Sequence, residues 1–427
     1  MTSLSGDELE VVVERCGGLD VHKDTVVACV RVPGPGGGVV KQAAEFATYT
    51  DDLLALRDWL VGHGVTRVGM EASGVYWKPV FYALEDSLEC WLLNARHMHN
   101  VPGRKTDMAD ADWICRLVRH GLVRASFVPP KPIRELRNLT RYRRARMEER
   151  TRETQRLDKV LQDAGIKLSS VASDVLGVSG RHMLDALVAG SHDPEVLAEL
   201  ARGRLRTKIP QLQAALTGRF GRQHAVLVGE ILAHLDYIDE SIERLQAEID
   251  RVIAPFGEAR DRLATIPGVD RAIAEAIIAE IGVDMSVFPT AAHLASWAGM
   301  CPGQHESAGK AKKGTARPGD SWLQRHLAVA AMAAARTKHT YLAAQYARLV
   351  RRRGKRRARK AVGHSILVAA WHILSAEVEW VELGEDYFER RHSPEHLARR
   401  KLAELRSLGW LVATNTDGTT TLTPPAA

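Results

Sequence analysis

The sequence predicts two architectures in one chain: an α/β domain at the N-terminal end, then an all-α remainder. Three observations predict this. Residues 11–125 alternate short β-rich runs with stretches of helical period, the pattern of helices packed around a mixed sheet. From Pro129 onward the strand signals stop and long helical periodicities take over. The chain has 427 residues, 45% of them hydrophobic, enough for two or three domains with buried cores. The expected divisions are an α/β domain over 11–128, a helical linker with a coiled-coil segment over 129–256, a C-terminal helical domain with a serine-bearing loop over 257–390, and a charged, partly disordered tail over 391–427.

Taken in order, "VVVERCGGLDVHKDTVVACVRV" holds two β-rich runs around a polar break, which predicts a hairpin. "GGVVKQAAEFAT" can add a third strand. "DDLLALRDWLVGHG" spaces Leu53, Leu54, Leu56, Trp59 and Leu60 as a helix, with an acidic start and a Gly end. "VTRVGMEAS" reads as a short apolar strand, "GVYWKPVFYALED" as a helix and "LECWLLNA" as another strand.

"FVPPKPIREL" carries Pro129, Pro130 and Pro132, a linker or helix-start signal. The basic stretch after it runs free of Gly and Pro until Gly165, and short helices separated by Gly and Ser follow. Then Val228, Ile231, Leu235, Ile238, Ile242, Leu245, Ile249 and Val252 alternate steps of three and four. That seam suits a coiled coil, and equally a long amphipathic helix packed within its own domain. Pro255 ends it, and an Ala-rich helical block occupies 258–380. The last residues, "ATNTDGTTTLTPPAA", read as disordered from their polarity.

Composition narrows the function classes. Formal net charge is +7, and the positive charge is clustered, which favours a polyanion: nucleic acid first, an acidic membrane surface second. The five cysteines stand singly without a CxxC pair, against a disulfide framework or a zinc finger. The start lacks a basic region followed by an apolar run, and no stretch is long and apolar enough to span a bilayer. The expectation is a cytosolic protein with no membrane partner.

The acids are the sharpest signal. "GRKTDMADADW" puts Asp107, Asp110 and Asp112 directly after Arg104 and Lys105. Acids suit the first turn of a helix, but Asp107 and Asp110, three apart, would share a face, leaving Asp112 as an ordinary surface acid. Asp20 sits inside a strand pattern, where Asp is depleted, and Glu71 ends another, where α/β sheets gather functional groups. Singly, each acid reads as a cap or a solvated charge. Four converging carboxylates need a cation, and oxygen-only donors select Mg²⁺ or Mn²⁺, paired ions being suited to phosphoryl displacement.

"LATIPGVDRAIAEAIIAEIG" has a tight Pro-Gly turn between two helical runs. It is similar to a helix-hairpin-helix that holds phosphate, and equally reads as a plain packing unit, because Asp270 stands where a second glycine is usual. In "HESAGKAKKGTARPGDS", Ser307 is followed by Lys310, Lys312, Lys313 and Arg317. Within this loop alone Ser307 is either an activated nucleophile or a phosphate contact. "ARLVRRRGKRRARKA" holds Arg351, Arg352, Arg353, Lys355, Arg356 and Arg357 without an acid, a nucleic-acid contact. The helix with Arg137, Arg141 and Arg144 carries acids too, a weaker signal of the same kind.

"GLDVHKD", "GMEASGVYW" and "KTDMADADWICRLVRHGL", then "LATIPGVDRAIAEAIIAEIG", "WAGMCPGQHESAGK" and "RPGDSWLQRHLAVAAMAAARTKHTYLAAQYARL", occur in this order over roughly 12–390. Together they resemble the Piv-like DEDD transposases of the IS-one-ten insertion-sequence family. The resemblance implies a RuvC-like (RNase H-like) first domain with Asp20, Glu71, Asp107 and Asp110 as the Mg²⁺-binding acids. It implies Ser307 as the nucleophile that links covalently to DNA, activated by metal-bound carboxylates of another domain. It also implies homodimers or homotetramers, a bridge RNA that supplies sequence specificity by base pairing, and contacts to that RNA or to DNA from the basic segments. The sequence departs mildly at Asp270 and at Gly319-Asp320, where Gly-Asn is commoner. Two other functions stay open: a metal-dependent structure-specific nuclease that uses water, and a non-catalytic nucleic-acid-binding remnant.

Overall fold

The computed structural model describes residues 10–94, 109–302, 305–307, 310–312, 318–390, 393–414 and 420–424. The chain divides into two compact units, 1–128 and 129–427.

The first unit is built on a five-stranded mixed sheet in the order β3-β2-β1-β4-β5. Strands β1 (Cys16–Val21), β2 (Thr25–Pro33) and β3 (Val39–Ala47) form the expected antiparallel meander. Helix α1 (Thr50–Gly62) crosses over to β4 (Arg67–Glu71), parallel to β1, and α2 (Trp77–Leu84) leads to β5 (Glu89–Leu93), parallel to β4. The period-two pattern sends Leu19, Val21, Val68 and Met70 to one face, where they bury against Leu53, Leu56 and Leu60 of α1 and Val80, Phe81 and Leu84 of α2. Helix α3 (Ala109–Arg119) covers the other face with Ile114, Leu117 and Val118. It lies almost on the strands. A Cβ on Gly18 would sit 2.1 Å from the Ala111 carbonyl oxygen and 2.3 Å from the Cys115 nitrogen. The two glycines of "GGLD" and "VGME" that face α3, Gly18 and Gly69, are therefore the seat of that helix.

The second unit begins with α4 (Lys131–Asp163), started by Pro132 in its first turn. It pairs with α9 (Arg222–Ile253). The pair is antiparallel, because Arg150 meets Asp239 while Asp163 meets His224. The heptad seam is thus met by a helix of the same chain. The buried stripe on α9 is Val228, Leu232, Leu235, Ile238, Ile249 and Ile253. Of the expected seam, Ile231, Ile242, Leu245 and Val252 are only half-buried, while Leu232 and Ile253 beside it are buried.

Between these helices lie α5 (Leu168–Val171), α6 (Val178–Val188), α7 (Pro194–Glu199), a 3₁₀ turn (Gly203–Lys208) and α8 (Ile209–Leu216). They close a separate small core around Leu161, Met183, Leu187, Leu212 and Leu232. After α9 come α10 (Gly257–Ala264), α11 (Arg271–Ile281), α12 (Ala291–Trp297), α13 (Ser321–Ala334), α14 (Tyr341–Arg353), α15 (Lys355–Ala376) and the single turn α16 (Tyr387–Arg390). Helix α11 is buried from Ile273 through Ile281. The Pro-Gly turn before it is present, but Gly268 is pressed against the α13 backbone, its Cβ position 2.4 Å from the Ala330 oxygen. Asp270 accepts the Ile273 amide. This hairpin packs its turn closely against α13.

The tail departs from expectation. Residues 394–407 form α17 (Pro394–Ser407), and β8 (Leu411–Thr414) pairs antiparallel with β9 (Thr420–Thr423). Polarity suggested disorder, but threonine and valine are β-branched and fit strands without being buried. Among the described residues no helix is long and apolar enough to cross a membrane.

Candidate functional site

Three of the four proposed acids are described, and the sheet brings them to one end of one face. In the parallel β1–β4 ladder Leu19 stands opposite Met70, so Asp20 and Glu71 are the next residues on adjacent strands. Cys16 and Gly18 face α3, as Gly69 does. Alternation then turns Asp20 and Glu71 to the same side. Asp110 is in the first turn of α3, one residue before the Ala111 carbonyl that rests on Gly18. One of its carboxylate oxygens is fully buried. Asp107 and Lys105 lie outside the described residues.

The surroundings hold these groups in place. Asp20 is largely buried, and its Oδ2 lies 3.2 Å from His22 Nε2. Ser73 Oγ donates to the Val21 carbonyl at 3.1 Å, pinning the turn after Glu71 to the end of β1. Sequence reasoning missed both neighbours, although "LDVHKD" and "MEAS" contain them. Among the described residues, no three histidine, cysteine or carboxylate side chains form a ready-made metal cage.

Asp112 is not the surface acid expected. It accepts from Arg31 Nε at 2.8 Å and pairs with Lys41 at 3.1 Å, joining α3 to β2 and β3. Burial works against its charge, but the hydrogen bonds and charges of Arg31 and Lys41 outweigh it and hold the carboxyl below the usual range.

In the second unit the loop of Ser307 is a short antiparallel ladder, β6 (His305–Ser307) with β7 (Lys310–Lys312), pairing Ser307 with Lys310. Lys313 and Arg317 lie outside the described residues. The base of the loop is fixed. A Cβ on Gly319 would lie 2.3 Å from the Ala298 carbonyl carbon, and Asp320 caps α13 by accepting the Leu323 amide.

Arg137 and Arg141 are corrected by this region. Arg141 grips Glu280 with two hydrogen bonds of 2.8 and 2.7 Å and reaches Asp320 at 3.3 Å. Arg137 donates to the Ala279 and Glu280 carbonyls, closing the C-terminal end of α11. Burial drives the Glu280 carboxyl upward, opposed by Arg141. These arginines serve a buried carboxylate rather than nucleic acid. Arg144 pairs with Glu148 at 3.0 Å, and Glu148 also meets Arg325.

The run from 351 to 357 behaves otherwise. Arg351, Arg352 and Arg353 end α14, and Lys355, Arg356 and Arg357 begin α15 after Gly354 at φ 79°. All six are exposed. Cations at a helix start oppose the helix dipole, so the cluster in α15 works against its own fold and suits an external anion. Nearby Lys360 is pushed below the usual lysine range by burial and by Arg356.

Comparison with known families agrees with the motif order. Residues 17–166 match the DEDD transposase model of the IS110 family, and residues 260–348 match the model described as "Transposase IS116/IS110/IS902 family". No curated protein matches the chain. The two segments cover more than half of the chain, the first running from the sheet unit through α4 and the second lying within the helical unit, and the chain belongs to the IS110 (IS-one-ten) family of transposases.

Proposed function

We propose that this transposase cleaves and rejoins DNA with Ser307 as nucleophile and with divalent cations held by Asp20, Glu71, Asp107 and Asp110. The observation that carries the metal half is the placement of Asp20, Glu71 and Asp110 at one end of the α3 face. The strand order and directions suit an RNase H-like, RuvC-like domain. DEDD domains in general use divalent metal ions, and an all-carboxylate donor set fits the hard cations Mg²⁺ and Mn²⁺. When bound, such ions supply Lewis acidity at the phosphodiester.

The chain's own residues do the rest. The carboxylates are the oxygen donors, and His22 Nε2 lies 3.2 Å from Asp20 Oδ2 at one of them. Ser307 attacks the phosphorus, loses its proton, and the departing strand leaves as an alcohol; the new phosphoserine ester conserves the bond energy for rejoining. Lys310, Lys312, Lys313 and Arg317 offset the added charge of the transition state. A bridge RNA, with base pairing reading the sequence, and assembly as homodimers or homotetramers complete the proposal. The exposed run of Arg351, Arg352, Arg353, Lys355, Arg356 and Arg357 is its surface for phosphate backbones.

Covalent trapping tests it. The protein is mixed with the RNA flanking its element, Mg²⁺ and labelled end-junction DNA, then denatured and run on a gel. A retarded protein–DNA adduct is expected, absent with Ser307→Ala and with Asp110→Asn. Cleavage without an adduct, unchanged in Ser307→Ala, would replace the serine with water.

A further inference from the structure

The lobe between the two long helices lies outside both family-matched segments. Its charge is uneven: its acids Asp174, Asp185, Asp193, Glu195 and Glu199 all precede residue 200. Residues 200–229 contain no Asp or Glu, although the chain averages 52 acids in 427 residues and about four would be expected. The same stretch carries Arg202, Arg204, Arg206, Lys208, Arg219 and Arg222, all exposed. Arg206 is engaged by Glu199 at 3.3 Å, and Lys208 donates to the Val171 carbonyl. Among the described residues Arg202, Arg204, Arg219 and Arg222 have no side-chain partner. The nearby acid Asp163 is held by His224 at 3.0 Å.

The fold adds a reason for the placement. The lobe has its own core, formed with Leu157 and Leu161 at one end of α4. At the other end of α4, Arg141 grips α11 in the helical body. Twenty residues of helix separate Arg141 from Leu161, about 30 Å at 1.5 Å per residue. That is close to one turn of B-DNA, about 34 Å. Exposed arginines on a lobe carried by a stiff two-helix arm of that length suit a duplex running along the arm. Fixed exposed cations without internal partners repel one another and gain most from a polyanion.

We propose that this lobe is a second, sequence-independent contact for duplex DNA, gripping the phosphate backbone about one helical turn from the helical body. It goes beyond the catalytic proposal and needs neither Ser307 nor the acid set.

The test compares full-length wild type with R202Q/R204Q/R219Q/R222Q on a labelled 40-base-pair duplex of arbitrary sequence, titrated at several salt concentrations. Four lost phosphate contacts predict a salt-dependence slope shallower by about 3.6 and affinity weaker on the order of tenfold or more near 0.1 M salt. The version with lysine at all four positions keeps the charge and should bind as wild type, which separates lost contacts from lost folding. Equal affinity and slope for wild type and the glutamine variant would overturn the proposal. So would a loss confined to structured RNA with duplex binding intact. A variant altered at Arg351, Arg352 and Arg353 runs alongside; duplex binding lost only there would likewise assign the contact to α14 instead.

Discussion

Asp110 and Asp112 stand two residues apart in the first turn of one helix, and the proposed function gives them opposite jobs. Asp112 is clamped by Arg31 and Lys41 and joins helix to sheet; Asp110 starts the helix near the strand ends that carry Asp20 and Glu71. Neutralising Asp112 leaves Arg31 partly buried without its counter-charge. Asp112→Asn should therefore cost about 1–3 kcal/mol of stability, seen as a lower denaturant midpoint, while a purified folded sample still cleaves DNA. Asp110→Asn should do the reverse: little loss of midpoint, and no cleavage. If Asp110→Asn cleaves normally, the acid set is wrong. Asp20 and Glu71 were legible as candidates because they interrupt strands, where an acid needs a reason. Asp112 was not, since its partners lie on β2 and β3, far upstream, and no local spacing announces a clamp that the fold assembles. Gly18 shows the complementary case. Its role depends on a helix laid across it later in the chain, and Gly18→Ala should destabilise the unit by about 3 kcal/mol or more, because the obstructing atoms are backbone.

At the scale of elements, strand and helix types followed periodicity closely, and the errors arose where charge had two uses. The basic composition of α4 reads as a nucleic-acid face, yet Arg137, Arg141 and Arg143 point into α11, which carries the buried Glu275 and Glu280. A one-dimensional pattern cannot separate an arginine for phosphate from an arginine for a buried carboxylate. The acids that would reveal the difference lie more than 130 positions away. Removing one partner from a buried pair strands the other charge, at about 3–5 kcal/mol. Arg143→Met should thus lower the stability of the second unit by that order, with Glu275 left at 0% exposure beside only Arg271 and Gln246. Substituting Arg352 and Arg356 by Gln should leave the midpoint nearly unchanged and weaken DNA binding. Paired denaturation and binding measurements on both variants check this, and a DNA-specific loss in folded Arg143→Met would reverse the assignment. The same limit explains the tail, where polarity hid β-branched strands.

For the molecule as a whole, acid sensitivity should have a component from one buried histidine. His326 on α13 is pushed down to about 4, first by burial and then by the charges of Arg144 and Arg143, with Asp270 and Asp320 opposing. In the unfolded chain it titrates near its ordinary value of about 6.5. Between those two values the unfolded state binds a proton that the folded state refuses. Above pH 6.5 both states hold a neutral ring and the group costs nothing. As pH falls from 6.5 toward 4 the unfolded state is increasingly favoured, up to about 3 kcal/mol, and below 4 the difference stays constant. His326→Gln removes the titration and keeps a polar side chain of similar reach. The variant can be less stable at pH 7, but its stability should fall more gently than that of wild type between pH 6.5 and 4. Carboxylates contribute to both proteins and cancel in the comparison. Denaturant midpoints at half-unit pH steps would show the two curves converging by about 3 kcal/mol. Parallel curves would mean that α13 opens enough at mild acid to let the ring protonate in water, and that the Arg144–His326–Arg143 packing is looser in solution than its burial suggests.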